Sequence, residues 1–229
     1  MHERRNADGS AVFPDRFPTG SGRFRVATLE EELELITGLN ASTGRLVGIY
    51  PEIKRPAWHR AEGVELATQL LEVLDAYGYR ERGDPVYVQC FDAGELKRLR
   101  HDLRCDLKLV QLIGENDWRE SDTDYEALKT ERGLGELART VDGIGPWLGQ
   151  LCAAAPPDGH PIDSGLARNA RRAGLEVHPW TFRADVPTPG FADFDAMVRW
   201  FVERLGVEGL FTDFPDRARR AIDAIPAAP

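Results

Sequence analysis

Along this chain, short apolar runs alternate with stretches in which apolar residues recur every three or four positions. Thr28 and Glu31 form a Ser/Thr-x-x-Glu capping box, and Leu29, Leu33 and Ile36 then mark one helical face, with Gly38 suited to the stop. The run 45–54 is nearly continuously apolar through Leu46, Val47, Ile49, Tyr50 and Ile53, which suits a strand buried on both faces. Leu66, Ala67, Leu70, Leu71, Leu74 and Tyr77 keep the helical period over 62–77, and Gly78 ends it. A second strand is expected at 85–91, followed by a helix over 93–103 capped by Asp92, and a third strand at 107–113. Residues 124–140 carry a helical pattern interrupted by Gly133 and Gly135. The remaining expectations are a short strand at 141–146, a basic helix at 163–173, a strand at 175–182 and an amphipathic helix at 191–205. A sixth strand at 207–214 and a closing helix at 215–225, with Pro215 in its first turn, end the chain.

Strands and helices alternating over nearly the whole chain predict an α/β fold with a parallel sheet. From Arg45 onward the count is six β/α units, two short of an eight-fold barrel. Residues 1–26, with Pro14, Pro18 and Gly20-Ser21-Gly22, read as a loop-like N-terminal segment, and 27–229 as one domain.

Composition narrows the functional classes. A net charge of −9 argues against a general nucleic-acid binder, which would present a basic face. No apolar run approaches the roughly 18 to 20 residues of a membrane span, and no apolar core follows the charged residues at the N-terminus. Cys90, Cys105 and Cys152 are too sparse for a disulfide framework and form no CxxC pair. Three buried thiols are the plain expectation. The basic helix around Arg168, Arg171 and Arg172 reads as a solvated face.

In parallel α/β folds ligands bind at the carboxyl ends of the strands. Those ends carry Glu52 and Lys54; Gln89, Phe91 and Asp92; Gln111, with Glu115 and Asp117 following; His178, Trp180 and Thr181; and Thr212 and Asp213. Glu52 and Lys54 stand two apart, so both face one side of a strand. They read either as an internal charge pair, or as a carboxylate for a hard divalent cation beside an ammonium for an anion such as phosphate. His59 lies in the following loop and reads as exposed.

Several strand-end motifs, in order, resemble the glycerophosphodiester phosphodiesterase family, in particular its bacterial periplasmic or secreted type. They are Tyr50-Pro51-Glu52-Ile53-Lys54, Gln89-Cys90-Phe91-Asp92, Asp142-Gly143-Ile144-Gly145-Pro146, His178-Pro179-Trp180-Thr181 and Phe211-Thr212-Asp213-Phe214-Pro215-Asp216. Arg16-Phe17-Pro18, Phe24-Arg25-Val26 and Gly38-Leu39-Asn40 extend the likeness toward the N-terminus. The resemblance implies a TIM-type (β/α) barrel that hydrolyses small-molecule glycerophosphodiesters, with a divalent cation, usually calcium, to glycerol 3-phosphate and an alcohol. By the same resemblance, Glu52 is a metal ligand and Lys54 an active-site contact to phosphate. Gln89, Phe91 and Trp180 contribute to the substrate wall, and Asp213 has a supporting role.

The chain also departs from that pattern. The family's His-Arg-Gly, which carries an acid/base histidine, is absent, and no Glu-x-Asp precedes Glu52 on an apolar strand. His101-Asp102 falls on a helix and reads as a chance match to the family's second histidine motif. The expectation is an incomplete barrel of about six of eight units, units three to eight, with weakened metal binding and little activity of its own. The alternatives are a non-catalytic remnant, or an α/β protein that binds a ligand or partner. As written, the chain carries no export signal and reads as cytoplasmic, whereas the relatives it resembles are exported from the cytoplasm.

Overall fold

The computed structural model of the protein describes residues 6–12, 25–153, 161–186, 188 and 190–226. The motif residues Arg16-Phe17-Pro18 and Phe24, and the turn formers Pro14, Pro18 and Gly20-Ser21-Gly22, lie outside them. The chain divides into two compact units, Met1–Val47 and Gly48–Pro229.

Within the first unit, helix α1 (Leu29–Thr43) begins with the expected capping box: Thr28 accepts from Glu31 N–H, and Glu31 accepts from Thr28 N–H. Arg25 adds a paired guanidinium on Glu31. The helix runs through Gly38 and ends at Gly44, which takes the left-handed conformation. The Asn40 amide then clasps the Val47 backbone, donating to its carbonyl and accepting from its N–H, both at 2.9 Å. That clasp occupies backbone which the apolar run had suggested for a strand, so the strand begins later than the pattern implied.

In the second unit, five parallel strands form one sheet in the order β1 (Glu52–Ile53), β2 (Tyr87–Cys90), β3 (Lys108–Ile113), β4 (Gly143–Pro146) and β7 (Glu176–Val177). Beyond β7, Phe182 bridges Thr212 in parallel, and Phe211 N–H donates to the Pro179 carbonyl. The expected sixth strand is thus reduced to this bridge. An antiparallel pair, β5 (Cys152–Ala153) and β6 (Ile162–Asp163), was not anticipated. It takes Asp163 out of the basic helix expected over 163–173, which forms as α8 (Leu166–Arg172).

Helices connect these strands. They are α2 (Pro56–Ala61), α3 (Leu66–Ala76), α4 (Ala93–Lys97), α5 (Tyr125–Leu128), α6 (Glu131–Leu137), α7 (Leu148–Leu151), α8, α9 (Phe194–Arg199) and α10 (Pro215–Asp223). Asp92 caps α4, as its position predicted, by accepting from Gly94 and Glu95 N–H. The helices expected over 93–103 and 191–205 both widen into π turns, at Arg98–Asp102 and Trp200–Leu205. The helical pattern over 124–140 breaks at Lys129–Thr130, because Thr130 caps a new helix by accepting from Gly133 N–H. Gly133 lies inside that helix, where a Cβ would come within 2.1 Å of the Ala127 carbonyl oxygen.

Strand alternation sorts the sheet residues onto two faces. Val88, Cys90, Leu109, Ile113, Ile144 and Val177 join the helices' Leu74, Leu96, Leu99, Leu134 and Phe201 in one apolar core. Residues of opposite parity, among them Tyr87, Gln89, Lys108, Leu112 and Glu176, face the other side, and the polar chemistry lies there. Cys90, Cys105 and Cys152 are free and buried, and burial pushes the Cys90 thiol up to about 12.

Candidate active site

At the carboxyl end of the sheet a cavity of about 320 Å³ opens, and the cavity wall includes Glu52, Lys54, Gln89, Phe91, Trp180 and Asp213. All six residues singled out in the sequence therefore meet in one place. Leu112, Thr181, Phe211 and Thr212 complete the lining. Leu112 and Phe211 are apolar and carry no chemical signature of their own, so only the register identifies them.

One side of the cavity is polar. Lys54 Nζ donates to Glu52 Oε1 at 2.8 Å; the lysine is 72% exposed and the glutamate mostly covered. Gln89 sits beside Glu52 in the register of β1 and β2 and is only 7% exposed. Its side-chain amide has no hydrogen-bond partner among the described residues and borders the cavity. Asp213 accepts from Arg183 Nε at 2.8 Å, which ties the last strand end to the segment after Trp180.

The opposite side is aromatic. Phe91 meets Trp180 edge to face, with ring centres 5.8 Å apart. Trp180 is fixed by its indole N–H, which donates to the Gly145 carbonyl at 2.7 Å, and the Trp180–Thr181 peptide is cis. Phe91 is held through its carbonyl, which accepts from the side chains of Gln111 at 2.8 Å, Tyr125 at 3.2 Å and Ser121 at 3.3 Å. Gln111 also donates to the Leu112 carbonyl, while its own Oε1 is buried without a partner among the described residues. Gln111 faces away from the cavity and acts by joining the ends of β2 and β3.

Nearer the amino ends of the strands, the same face carries a second polar layer. Tyr50 stacks on Tyr87, and its hydroxyl lies 2.9 Å from His178 Nδ1. Tyr87 donates to Glu176 at 2.8 Å and accepts from Lys108 at 2.9 Å. Burial holds His178 below its ordinary value of 6.5, opposed in part by Glu176 and Glu208. His178, noted at a strand end in the sequence, does not border the cavity. His59 lies on α2 against Trp58, and His101 is exposed on the π turn after α4.

Calcium takes roughly six to eight oxygen ligands. Among the described residues, no three His, Cys, Asp or Glu side chains come together to hold a metal ion. Glu52 is engaged by Lys54 and Asp213 by Arg183, so the described residues do not fit a metal centre by themselves.

A cation, an amide and an aromatic wall thus stand together at the carboxyl ends of parallel strands, where ligands bind in α/β folds of this kind. The chain belongs to the glycerophosphoryl diester phosphodiesterase family, whose model matches residues 2–217. It is 37% identical over 229 aligned positions to a glycerophosphodiester phosphodiesterase of Haemophilus influenzae, covering 93% of this chain and 63% of that protein. It is 34% identical to one of Treponema pallidum, covering 90% of this chain and 62% of the relative. The chain thus spans somewhat over three fifths of the curated relatives' length. A solved structure from Silicibacter pomeroyi, described as a glycerophosphoryl diester phosphodiesterase, superposes with a TM-score of 0.66 at 21% identity, covering 94% of this chain and 64% of that one. That likeness establishes the fold: α/β with a parallel sheet. Among the described residues, no helix is long and apolar enough to cross a membrane.

Proposed function

We propose that this chain binds glycerophosphodiesters in the strand-end cavity and serves their hydrolysis to glycerol 3-phosphate and an alcohol, on a sheet forming units three to eight of a (β/α) barrel. The observation that carries the reading is the cavity's division into a side with Lys54 and the unpartnered Gln89 amide, and a side walled by Phe91 and Trp180.

Lys54 is the group for the phosphodiester anion. Its ammonium is exposed on a flexible stem, and it can turn from Glu52 toward a phosphate oxygen, a charge-assisted contact stronger than a neutral hydrogen bond. Gln89, whose amide reaches the cavity, offers both a donor and an acceptor to a glycerol hydroxyl. Phe91 and Trp180 cover the carbon skeleton and keep water from that side. Glu52 lies where it would repel the bound anion unless Lys54 or another cation stands between them.

Binding tests this reading directly. Calorimetric titration of the 229-residue protein with glycerol 3-phosphate and with glycerophosphocholine should show saturable binding that Lys54→Ala weakens. Equal affinity in the variant would overturn the role given to Lys54, and no binding of either ligand would overturn the reading.

A further inference from the structure

A chain of aromatic rings leaves the cavity wall and reaches the surface. Trp180, on the wall, meets Trp118 with ring centres 5.9 Å apart and planes 61° apart. Trp118 in turn meets Trp147 at 5.9 Å and 70°. Steep angles make the three indoles the sides of a corner rather than a stack. Trp118 is 39% exposed and Trp147 42%, so aromatic surface stays open to solvent at the end of the corner.

The corner is held in place by the backbone. Trp118 ends the short 3-10 turn Asn116–Trp118 after β3. Trp147 follows β4 and bridges Trp180 in parallel. Its indole lies against Gly149 of α7, where a Cβ would come within 2.2 Å of the ring. The Trp147 N–H donates to the Gln150 side chain at 2.9 Å, and Gln150 donates to Glu115 at 2.8 Å. Glu115, Asp117, Glu120 and Asp122 surround Trp118 in sequence, against the single guanidinium of Arg119. Lys129 shares Glu115.

Several open indoles set at angles within an acidic loop suit one ligand chemistry. A quaternary ammonium is a cation with an apolar methyl surface; it loses little by leaving water and gains from the indole faces. An anion would be repelled by the loop, and a neutral alkyl group would gain nothing from its charge. We propose that Trp118, Trp147 and Trp180 take a trimethylammonium group on the alcohol half of the diester, so that Trp118 and Trp147 determine specificity for choline-type substrates. This rests on the reading that the adjoining cavity holds the phosphodiester.

The probes are choline, tetramethylammonium and 3,3-dimethyl-1-butanol, the uncharged carbon analogue of choline, with saturation-transfer NMR on their methyl protons and calorimetric titration of the full chain. Choline and tetramethylammonium should bind, and the neutral analogue should bind markedly more weakly. Trp147→Leu should weaken choline binding by about 2- to 30-fold, and Trp147→Phe should keep part of it. Gly149→Ala, which displaces the Trp147 indole, should reproduce the loss without removing the ring, with thermal melting reporting that each variant is folded. A neutral analogue that binds as tightly as choline, or an unchanged affinity in folded Trp147→Leu, would overturn the proposal. Glycerol 3-phosphate separates the two readings. If it binds and Lys54→Ala weakens it while choline shows no indole-dependent affinity, the specificity proposal fails and the cavity reading stands. If choline binds through the indoles and glycerol 3-phosphate does not bind, the aromatic corner stands and its connection to a phosphodiester fails.

Discussion

The Tyr50 hydroxyl and His178 Nδ1 lie 2.9 Å apart in the polar layer below the cavity, joining β1's approach to the extension of β7 across the open face of the sheet. The contact works with a neutral imidazole that is buried and held below its ordinary value. Between the folded and unfolded values the unfolded chain binds more protons at this site. The contribution of His178 is therefore complete above about pH 6.5 and is lost as pH falls through that value toward the lower folded one. The melting temperature of the wild type should fall more steeply from pH 7 to pH 5 than that of His178→Asn. Parallel curves would show that His178 titrates alike in both states.

A second prediction concerns stability alone. Asp142 accepts from Arg100 at 3.0 Å and from Leu109 N–H at 2.9 Å, and Arg82 is also paired with it. Arg100 further donates to the carbonyls of Thr140, Cys105 and Leu107. Replacing Asp142 by Ala leaves a largely covered guanidinium and a backbone N–H without their acceptor, and should cost about 3–5 kcal/mol. Urea unfolding measures this, and a loss below about 1 kcal/mol would mean that the pair is solvated.

Gln89 separates binding from folding. Its amide has no partner among the described residues and reaches the cavity, so Gln89→Leu should leave stability unchanged or slightly raised. The same change should weaken glycerol 3-phosphate binding by about 2- to 13-fold, the worth of one ordinary hydrogen bond. Melting and titration of a single variant test both halves, and a large loss of stability would show that the amide is structural.

Lys54 carries a larger share. Lys54→Gln should weaken glycerol 3-phosphate binding by about 10- to 100-fold, as expected for a hydrogen bond to a charged group, and wild-type affinity should fall with added salt. Salt-independent affinity would place the phosphate away from the lysine.

Hydrolysis should be slow in the 229-residue polypeptide. No histidine borders the cavity among the described residues, and each missing proton-transfer role costs roughly 10²–10⁴-fold. Turnover of glycerophosphocholine with millimolar calcium should be far below that of a family enzyme with histidines at its cavity, and a comparable rate would show that other groups move the protons.

Much of the candidate site was legible because strand periodicity is rigid. Glu52 and Lys54, or Gln89 and Phe91, stand two apart, and in a strand that spacing commits both side chains to one face. Caps were legible for a similar reason: Thr28 and Asp92 act on N–H groups two or three residues ahead. Long-range agreements were not legible. The clasp of Val47 by Asn40, the β5–β6 pair and the π turns depend on partners or packing that a local pattern does not contain. The ring contacts of Trp118 and Trp147 belong with these, since the residues lie on different loops and meet only through the sheet order. Apolar periodicity also misplaced the break in the 124–140 helix, which follows the Thr130 cap while Gly133 serves close packing.

The three side chains that converge on the Phe91 carbonyl come from β3, from the loop after it and from α5. They anchor the aromatic wall by its backbone and leave the ring free to meet a ligand. None of these three anchors lines the cavity, so Arg119 and Glu120, between Trp118 and Ser121, can change without loosening the backbone that carries the Phe91 ring.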